Sequence, residues 1–172
     1  MKVVSSILLL VLLFLKVPVE TQTTKKIASA KITFEFVSKN VKGTIEGFES
    51  ESRIDWENPE NSYFKGFVQS ETLDTHNGLR NWSLRGGKYF DTDDYPKITF
   101  ESREVIKEND AFKVKGTLNI KGNKKDITII FTKKGQQLVG TTSLYCIDYG
   151  IKIKKKREDN LVNIQMVFDI SS

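Results

Sequence analysis

The stretch of sequence that decides the fold is GLRNWSLRGGKYFDTDDYPKITFES, residues 78–102. It begins with a short helix candidate and ends in an alternating strand that starts at Tyr95-Pro96. A turn that contains Tyr89, Phe90 and Asp91 lies between them. This order of elements predicts a helical crossover between two strands, an arrangement that few small folds need.

The helix of this crossover has a clear beginning. Asp74 or Thr75 can cap a helix over Gly78–Leu84. Leu79 and Trp82 then lie three residues apart on one side of the helix. A short helix with two apolar residues on one side is suited to closing the end of a barrel.

On both sides of the crossover, apolar residues recur at every second position. In one segment Ile32, Phe34 and Phe36 share a face, whereas Thr33 and Glu35 share the other. The same alternation occurs in Ile54/Trp56, Ile98/Phe100, Phe112/Val114/Leu118/Ile120, Ile127/Ile129/Phe131 and Val162/Ile164/Met166/Phe168/Ile170. A period of two with one apolar face is typical of half-buried antiparallel strands. Short polar turns between the segments predict a meander of sequential strands.

About eight strands of this kind would expose an apolar face and two unpaired edges if they formed an open sheet. Closure into a barrel removes both, and so does packing into a two-sheet sandwich. The periodicity is compatible with either, but the helical crossover favours a barrel. We therefore predict an all-β, antiparallel, eight-stranded β-barrel with a short helical crossover.

The crossover resembles the R-D-x-H-L, F-F-D-V and Y-P-x-I-x-F-x-S signature of the YceI-like family of secreted lipid-binding proteins. The matching residues are Arg80, Leu84, Tyr89, Phe90, Asp91, Tyr95, Pro96, Ile98, Phe100 and Ser102. Asn81 and Ser83 depart from it, because the family carries an acidic residue and a histidine there. Residues 71–75, 115–122 and 147–151 are similar to three further family motifs. The resemblance implies a lipocalin-like barrel around a long apolar ligand, which would be a polyisoprenoid, a fatty acid or a fatty amide.

The predicted binding site is the barrel lumen, and the predicted partner is an isoprenoid or acyl-chain lipid held non-covalently. The lumen candidates are Phe34, Phe36, Val68, Phe100, Val114, Leu118, Ile129, Met166 and Phe168. Gly66 and Gly116 also lie at inward positions. The residues alone favour a role in bending the strands, whereas the resemblance favours a role in opening a cavity. The alternative is a filled barrel that acts as an envelope interaction module without a lumen ligand.

The sequence does not favour an enzyme, and we predict no catalytic residue, metal site or cofactor. His76 lies in a polar turn and Cys146 is the only cysteine, which excludes an intramolecular disulfide. The residues Asp91, Asp93 and Asp94 lack the glycine and distal glutamate of a calcium loop. A carboxylate pair in the lumen would revive the enzyme hypothesis.

A basic segment, residues 152–157, follows Ile151, and the full chain has a formal net charge of +5. We interpret Ile151 and Ile153 as alternating with outward lysines on a soluble edge strand, although transient contact with an anionic membrane surface is the functional alternative. Nucleic-acid binding is not predicted, because the aromatic residues share the face of the aliphatic ones. The sequence leaves open whether the protein forms a homodimer.

The N-terminus is typical of a signal peptide, with Lys2, an apolar run from Val3 to Leu15, and Pro18. The run is shorter than the ~20 apolar residues of a membrane span. We predict a signal peptide over residues 1–22 and a YceI-like lipid-binding β-barrel domain over residues 23–172, in a periplasmic or secreted protein. An uncleaved N-terminal anchor is the alternative, because the expected cleavage site at residues 19–21 is poor.

Overall fold

The computed structural model describes residues 24–171, so the predicted signal peptide lies outside the described residues. The strands are β1 Ile27–Phe36, β2 Val41–Ile45, β3 Glu49–Ser50, β4 Lys65–Gln69, β5 Lys97–Glu108, β6 Ala111–Ile120, β7 Asn123–Lys134, β8 Gln137–Tyr145 and β9 Leu161–Ile170. One α-helix in this range, α1, spans Gly78–Arg85. No helix in this part of the chain is long and apolar enough to cross a membrane.

All neighbouring strands are antiparallel, in the order β2-β1-β9-β8-β7-β6-β5-β4-β3. The two outer strands of this order, β2 and β3, are consecutive in the chain. They are separated by residues 46–48, where Gly47 has a φ of +69°. β2 pairs with β1 and β3 pairs with β4, so the stretch 41–50 acts as one interrupted strand that closes the ring. The prediction of an all-β antiparallel barrel is confirmed, although the eight expected strands are counted as nine.

Backbone hydrogen bonds join the ring at this interruption. Thr44 and Asp74 exchange two N–H···O bonds of 2.9 Å, and the Gln69 N–H donates to the Glu46 oxygen at 3.1 Å. These bonds attach residues 69–74, which lead towards the crossover, to β2 and to the residue that follows it.

The strand register separates the connections into two ends of the barrel. One end, called the helical end here, carries residues 37–39, 70–96, 121–122 and 146–160. The other end, called the floor, carries the turns at 109–110 and 135–136 and is covered by residues 51–64.

Aromatic residues fill the floor. Phe131 stacks on Phe64 with ring centroids 5.0 Å apart and lies 5.5 Å from Phe168, which in turn stacks on Phe48 at 5.1 Å. Ile54 is completely buried in the same cluster. The predicted strand at Ile54/Trp56 is wrong, because this segment forms only isolated bridges and crosses under the barrel instead.

The predicted plugging of the barrel end by Leu79 and Trp82 is also wrong. Their exposed fractions are 78% and 75%, so neither side chain is buried in the barrel end. The cap also differs from the prediction, because the Asn77 side chain accepts the Arg80 N–H at 2.9 Å. The side chain of Asp74 accepts the His76 N–H and thus shapes the turn before the helix.

The basic segment 152–157 is not an edge strand. The chain turns away from the sheet at Gly150, which has a φ of +78° after the 3-10 turn Cys146–Tyr149. Ile151 is then buried in a second apolar cluster near the helical end, whereas Ile153 is exposed. The alternating isoleucines and lysines therefore belong to a loop, which the buried side chain of Ile151 holds against the barrel.

Candidate functional site

The barrel contains a cavity of about 820 Å³ between the floor and the helical end. This volume lies within the range of about 300–1,000 Å³ that is usual for small-molecule sites. The strand residues that line it are mostly aliphatic or aromatic, and they include Ile32, Phe34, Phe36, Ile98, Phe100, Leu118, Ile120, Ile127, Ile129, Leu144, Val162, Ile164, Met166 and Phe168. The barrel is thus filled at one end and hollow towards the other.

Eight of the nine lumen candidates line this cavity: Phe34, Phe36, Val68, Phe100, Leu118, Ile129, Met166 and Phe168. Val114 does not, because it is completely buried in the floor cluster. The alternation predicts correctly that the side chain of Val114 points into the barrel. It does not predict how far along the barrel axis this residue lies. Contact of these residues with a ligand stays a prediction.

The connections at the helical end contribute lining residues that strand periodicity could not reveal. They are Leu73, Thr75, Asn77, Leu79, Arg80, Ser83, Leu84, Tyr89, Phe90, Cys146, Ile151 and Ile153. Arg80, Leu84, Tyr89 and Phe90 belong to the family signature, so the resemblance was the signal that could have found them.

The inward glycines make room for aromatic rings. A Cβ atom at Gly116 would lie 2.6 Å from Cζ of Phe100, and one at Gly140 would lie 2.7 Å from Cδ1 of Phe131. Gly43 is covered in the same way by the ring of Phe34. Gly66 differs, because a Cβ atom there would lie 2.6 Å from the carbonyl oxygen of Glu49. At Gly43, Gly116 and Gly140 an aromatic ring therefore occupies the space that a side chain at the glycine position would need.

A hydrogen-bonded network holds the guanidinium group of Arg80 in the cavity wall. Arg80 donates from Nε to the Thr75 hydroxyl and from Nη2 to the Thr75 carbonyl, each at 2.7 Å. The side chain of Asn81 accepts from the Thr75 hydroxyl at 2.6 Å and donates to Asp74 at 2.8 Å. The Asn81 amide and the His76 N–H lower the pKa of Asp74. Within residues 24–171 no carboxylate is in ion-pair range of Arg80, so its positive charge is available at the cavity.

A second cationic group lies at the cavity rim. Lys39 lines the cavity and is exposed, and its ammonium group lowers the pKa of the half-buried Lys154. Ser38 donates to the Asp159 carbonyl at 2.7 Å, which fixes the segment of Lys39 against the start of β9. Two like charges are thus held together at the same end of the barrel as Arg80.

Asn160 organises the loop that carries Lys154. It has no exposed surface, and its side chain accepts from the N–H groups of Ile153 and Lys154 at 3.0 and 2.9 Å. It also donates to the carbonyls of Lys154 and Lys156 at 3.1 and 2.6 Å. One amide therefore fixes the path of the loop beside the cavity.

We expect Asn160→Ala to lower the free energy of unfolding by about 2–4 kcal/mol, because four backbone bonds are lost at a buried position. Urea unfolding followed by circular dichroism measures this change. Asn163→Ala is the matched control, since Asn163 is exposed and bonds only the Ser143 hydroxyl among described side chains. Equal stability of the two variants would contradict the assigned function of Asn160.

Two potentially reactive side chains, Cys146 and His76, lie in the connections of the helical end. Burial raises the pKa of the Cys146 thiol to about 11, which disfavours the nucleophilic thiolate. His76 is exposed beside Asp74, outside the lining of the cavity. Over the described range no group of three or more potential metal ligands comes together. The arrangement is suited to holding an apolar molecule with a polar or anionic end.

We expect the Cys146 thiol of the folded protein to react about a hundredfold more slowly with a maleimide than that of the urea-unfolded chain. The physical reason is the lower thiolate fraction at a raised pKa. Because the chain has one cysteine, the labelled mass measured over time reports this site alone. Similar rates in the two states would show that Cys146 is accessible and the cavity wall open there.

Comparison with known proteins gives one consistent result. The family model described as a YceI-like domain matches residues 22–171. A UPF0312 protein of Photorhabdus laumondii is 32% identical over 87 residues, which cover 51% of this chain and 45% of that protein. One from Yersinia pestis is 30% identical over 94 residues, covering 55% and 49%. The chain thus matches about half the length of these curated relatives.

Solved structures show the same fold. BcnA of Burkholderia cenocepacia superposes with a TM-score of 0.74 at 17% identity, covering 86% of this chain and 99% of that one. A Campylobacter jejuni YCEI protein gives 0.65 at 20% identity, with 77% and 86% covered. A polyisoprenoid-binding domain from Saccharophagus degradans gives 0.56 at 12% identity, with 87% and 97% covered.

Proposed function

The chain belongs to the YceI-like domain family, and from this premise we propose that it is an exported lipid-binding protein. It holds an elongated apolar ligand, a polyisoprenoid, a fatty acid or a fatty amide, non-covalently in the barrel cavity. The observation that carries this proposal is the cavity of about 820 Å³, which is lined by apolar side chains from β1, β5, β6, β7 and β9. The likeness to a polyisoprenoid-binding domain supports the same class of ligand.

Burial of the apolar chain provides the affinity. Each methylene group that leaves water contributes about 0.8 kcal/mol, so a dozen of them give on the order of 10 kcal/mol before the costs of association. The aromatic floor ends the cavity, so the apolar tail would point towards Phe131 and Phe168. The polar head would then face Arg80 and Lys39 at the helical end.

The family and the geometry favour a binding protein over an enzyme. Ligand exchange would be limited by how far the crossover must move to release the chain. Export is also a part of this proposal. It is inferred from the signal-like sequence of residues 1–22.

Native mass spectrometry of the protein purified from the cells that make it tests the proposal. We expect one amphiphile per chain, released on unfolding and identifiable after organic extraction. If the measured mass is that of the polypeptide alone, and the protein also fails to take up a fluorescent fatty acid, the result would support the filled-barrel interaction module instead. Delipidated protein is the control for uptake, because a resident ligand would block the probe.

A further inference from the structure

Exposed apolar side chains are concentrated at one end of this molecule. The large hydrophobic residues with high exposure in the described range are Val37, Leu79, Trp82, Tyr95, Ile130 and Ile153. All of them except Ile130 belong to the connections of the helical end. Apolar exposure that is concentrated at one end of a molecule, rather than spread over its surface, is typical of a site of interaction.

This exposed set is continuous with the cavity. Leu79 and Ile153 line the cavity and are nevertheless exposed by 78% and 37%. Trp82 lies one helical turn after Leu79 and is exposed by 75%. A partner that covered these residues would therefore also cover the entrance of the cavity.

Positive charge surrounds the part of this end that contains Ile153. Lys152, Lys154, Lys155 and Lys156 flank it, and none of them forms an ion pair with a carboxylate in the part of the chain that the structure describes. Arg157 differs, because its guanidinium is bound to Asp148, with Nε 2.9 Å from the carboxylate. Lys39 lies close enough to Lys154 to lower its pKa, so an anionic surface at this place would weaken the repulsion between the two ammonium groups.

The charge near α1 is more balanced. Arg80, Arg85 and Lys88 are followed by Asp91, Asp93 and Asp94 in the same crossover. The two parts of the helical end thus differ in character. α1 contributes exposed apolar surface, whereas the loop 151–157 contributes the excess of positive charge.

We propose that the helical end docks onto the surface of an anionic lipid bilayer, with Leu79 and Trp82 entering the interface and the lysines of 152–156 contacting the headgroups. This rests on the proposed lipid-binding function, and it assigns the place where the lipid enters and leaves. Tryptophan is favoured at the boundary between headgroups and acyl chains, and lysines near exposed apolar side chains are attracted to anionic lipid. The docked cavity opens towards the membrane, so an acyl or prenyl chain crosses without full exposure to water.

Vesicle flotation with delipidated protein tests the docking surface. The probes are vesicles of phosphatidylcholine with phosphatidylglycerol, and vesicles of phosphatidylcholine alone. We expect binding to the anionic vesicles that weakens with added salt, and binding at least about tenfold weaker to the neutral ones. The variant Trp56→Phe leaves Trp82 as the sole tryptophan, and its emission shifts to the blue when the anionic vesicles are added.

Two variants separate the apolar from the charged contribution. Trp82→Ser is expected to reduce vesicle binding about tenfold, and Lys152→Gln/Lys155→Gln/Lys156→Gln to remove the preference for phosphatidylglycerol. Ile130→Ser is the matched control, because Ile130 is also exposed but lies on the barrel wall. Unchanged binding by Trp82→Ser, or an equal loss with Ile130→Ser, overturns the proposal.

The outcome is separable from that of lipid binding in the cavity. Trp82 does not line the cavity, so Trp82→Ser should keep its affinity for a soluble fluorescent fatty acid and lose only the transfer of fatty acid from vesicles. Absence of vesicle binding by a protein that still takes up fatty acid overturns the docking surface alone. Dimerisation in sedimentation experiments that Trp82→Ser abolishes, without vesicle binding, would assign this face to a second copy and also overturn the proposal.

Discussion

The double variant Val162→Trp/Ile164→Trp is expected to lose affinity for a fluorescent fatty acid by on the order of a hundredfold. Both side chains are half-buried on β9 and face the cavity, opposite Phe36 and Phe34 on β1. Two indole rings would displace about three or four methylene groups of the ligand, which corresponds to ~3 kcal/mol of apolar burial. Fluorescence titration of the delipidated protein measures the loss.

The control for this variant uses the same strand with the opposite parity. Asn163→Trp/Gln165→Trp introduces the same two rings at exposed positions outside the barrel. It should bind fatty acid as the unmodified protein does, while both variants retain the circular dichroism of a β-barrel. If the inward pair binds normally in a folded barrel, the cavity is not the ligand site and the proposed function is wrong.

The largest loss of stability is expected for Phe131→Ala, about 3–5 kcal/mol. Phe131 is 1% exposed, stacks on Phe64 and contacts Phe168, so it joins the covering segment 51–64 to β7 and β9. Its removal loses the transfer free energy of the ring and leaves a void among aromatic groups that cannot close around it. Urea unfolding gives the change in the free energy of unfolding.

Ile130→Ala is the neighbouring control, because Ile130 points out of the same strand and is 38% exposed. Its cost should stay below about 1 kcal/mol. A small loss for Phe131→Ala would mean that the floor repacks easily, and the cavity would then have no fixed lower boundary.

The strands and their faces could be predicted from the sequence because alternation is a local property. A residue in a strand points to the same side as the residue two positions away, whatever lies across the sheet. Phe34, Leu118 and Met166 were assigned to the lumen on this basis, and the structure places them on the cavity wall. The crossover at residues 78–102 then favoured the barrel over the sandwich.

The candidate site at the helical end could not be predicted in the same way. The bonds of Arg80 to Thr75 join residues five apart through a turn that no periodicity describes. The approach of Lys39 to Lys154 joins two connections that are distant in the chain. Such contacts depend on how the loops pack after the barrel has closed.

The sequence by itself determined that this chain forms antiparallel strands with one apolar face and a helical crossover, since side-chain parity follows from backbone geometry alone. Tertiary structure decided which part of the barrel interior is filled by side chains and which part is a cavity. The segment 51–64 covers one end, so Val114 is buried in the floor while Leu118, four residues later on the same face of β6, lines the cavity. Tertiary structure also decided that Leu79 and Trp82 are exposed to solvent. The exposure of a helix face depends on which other segments pack against it and not on the spacing of its apolar residues.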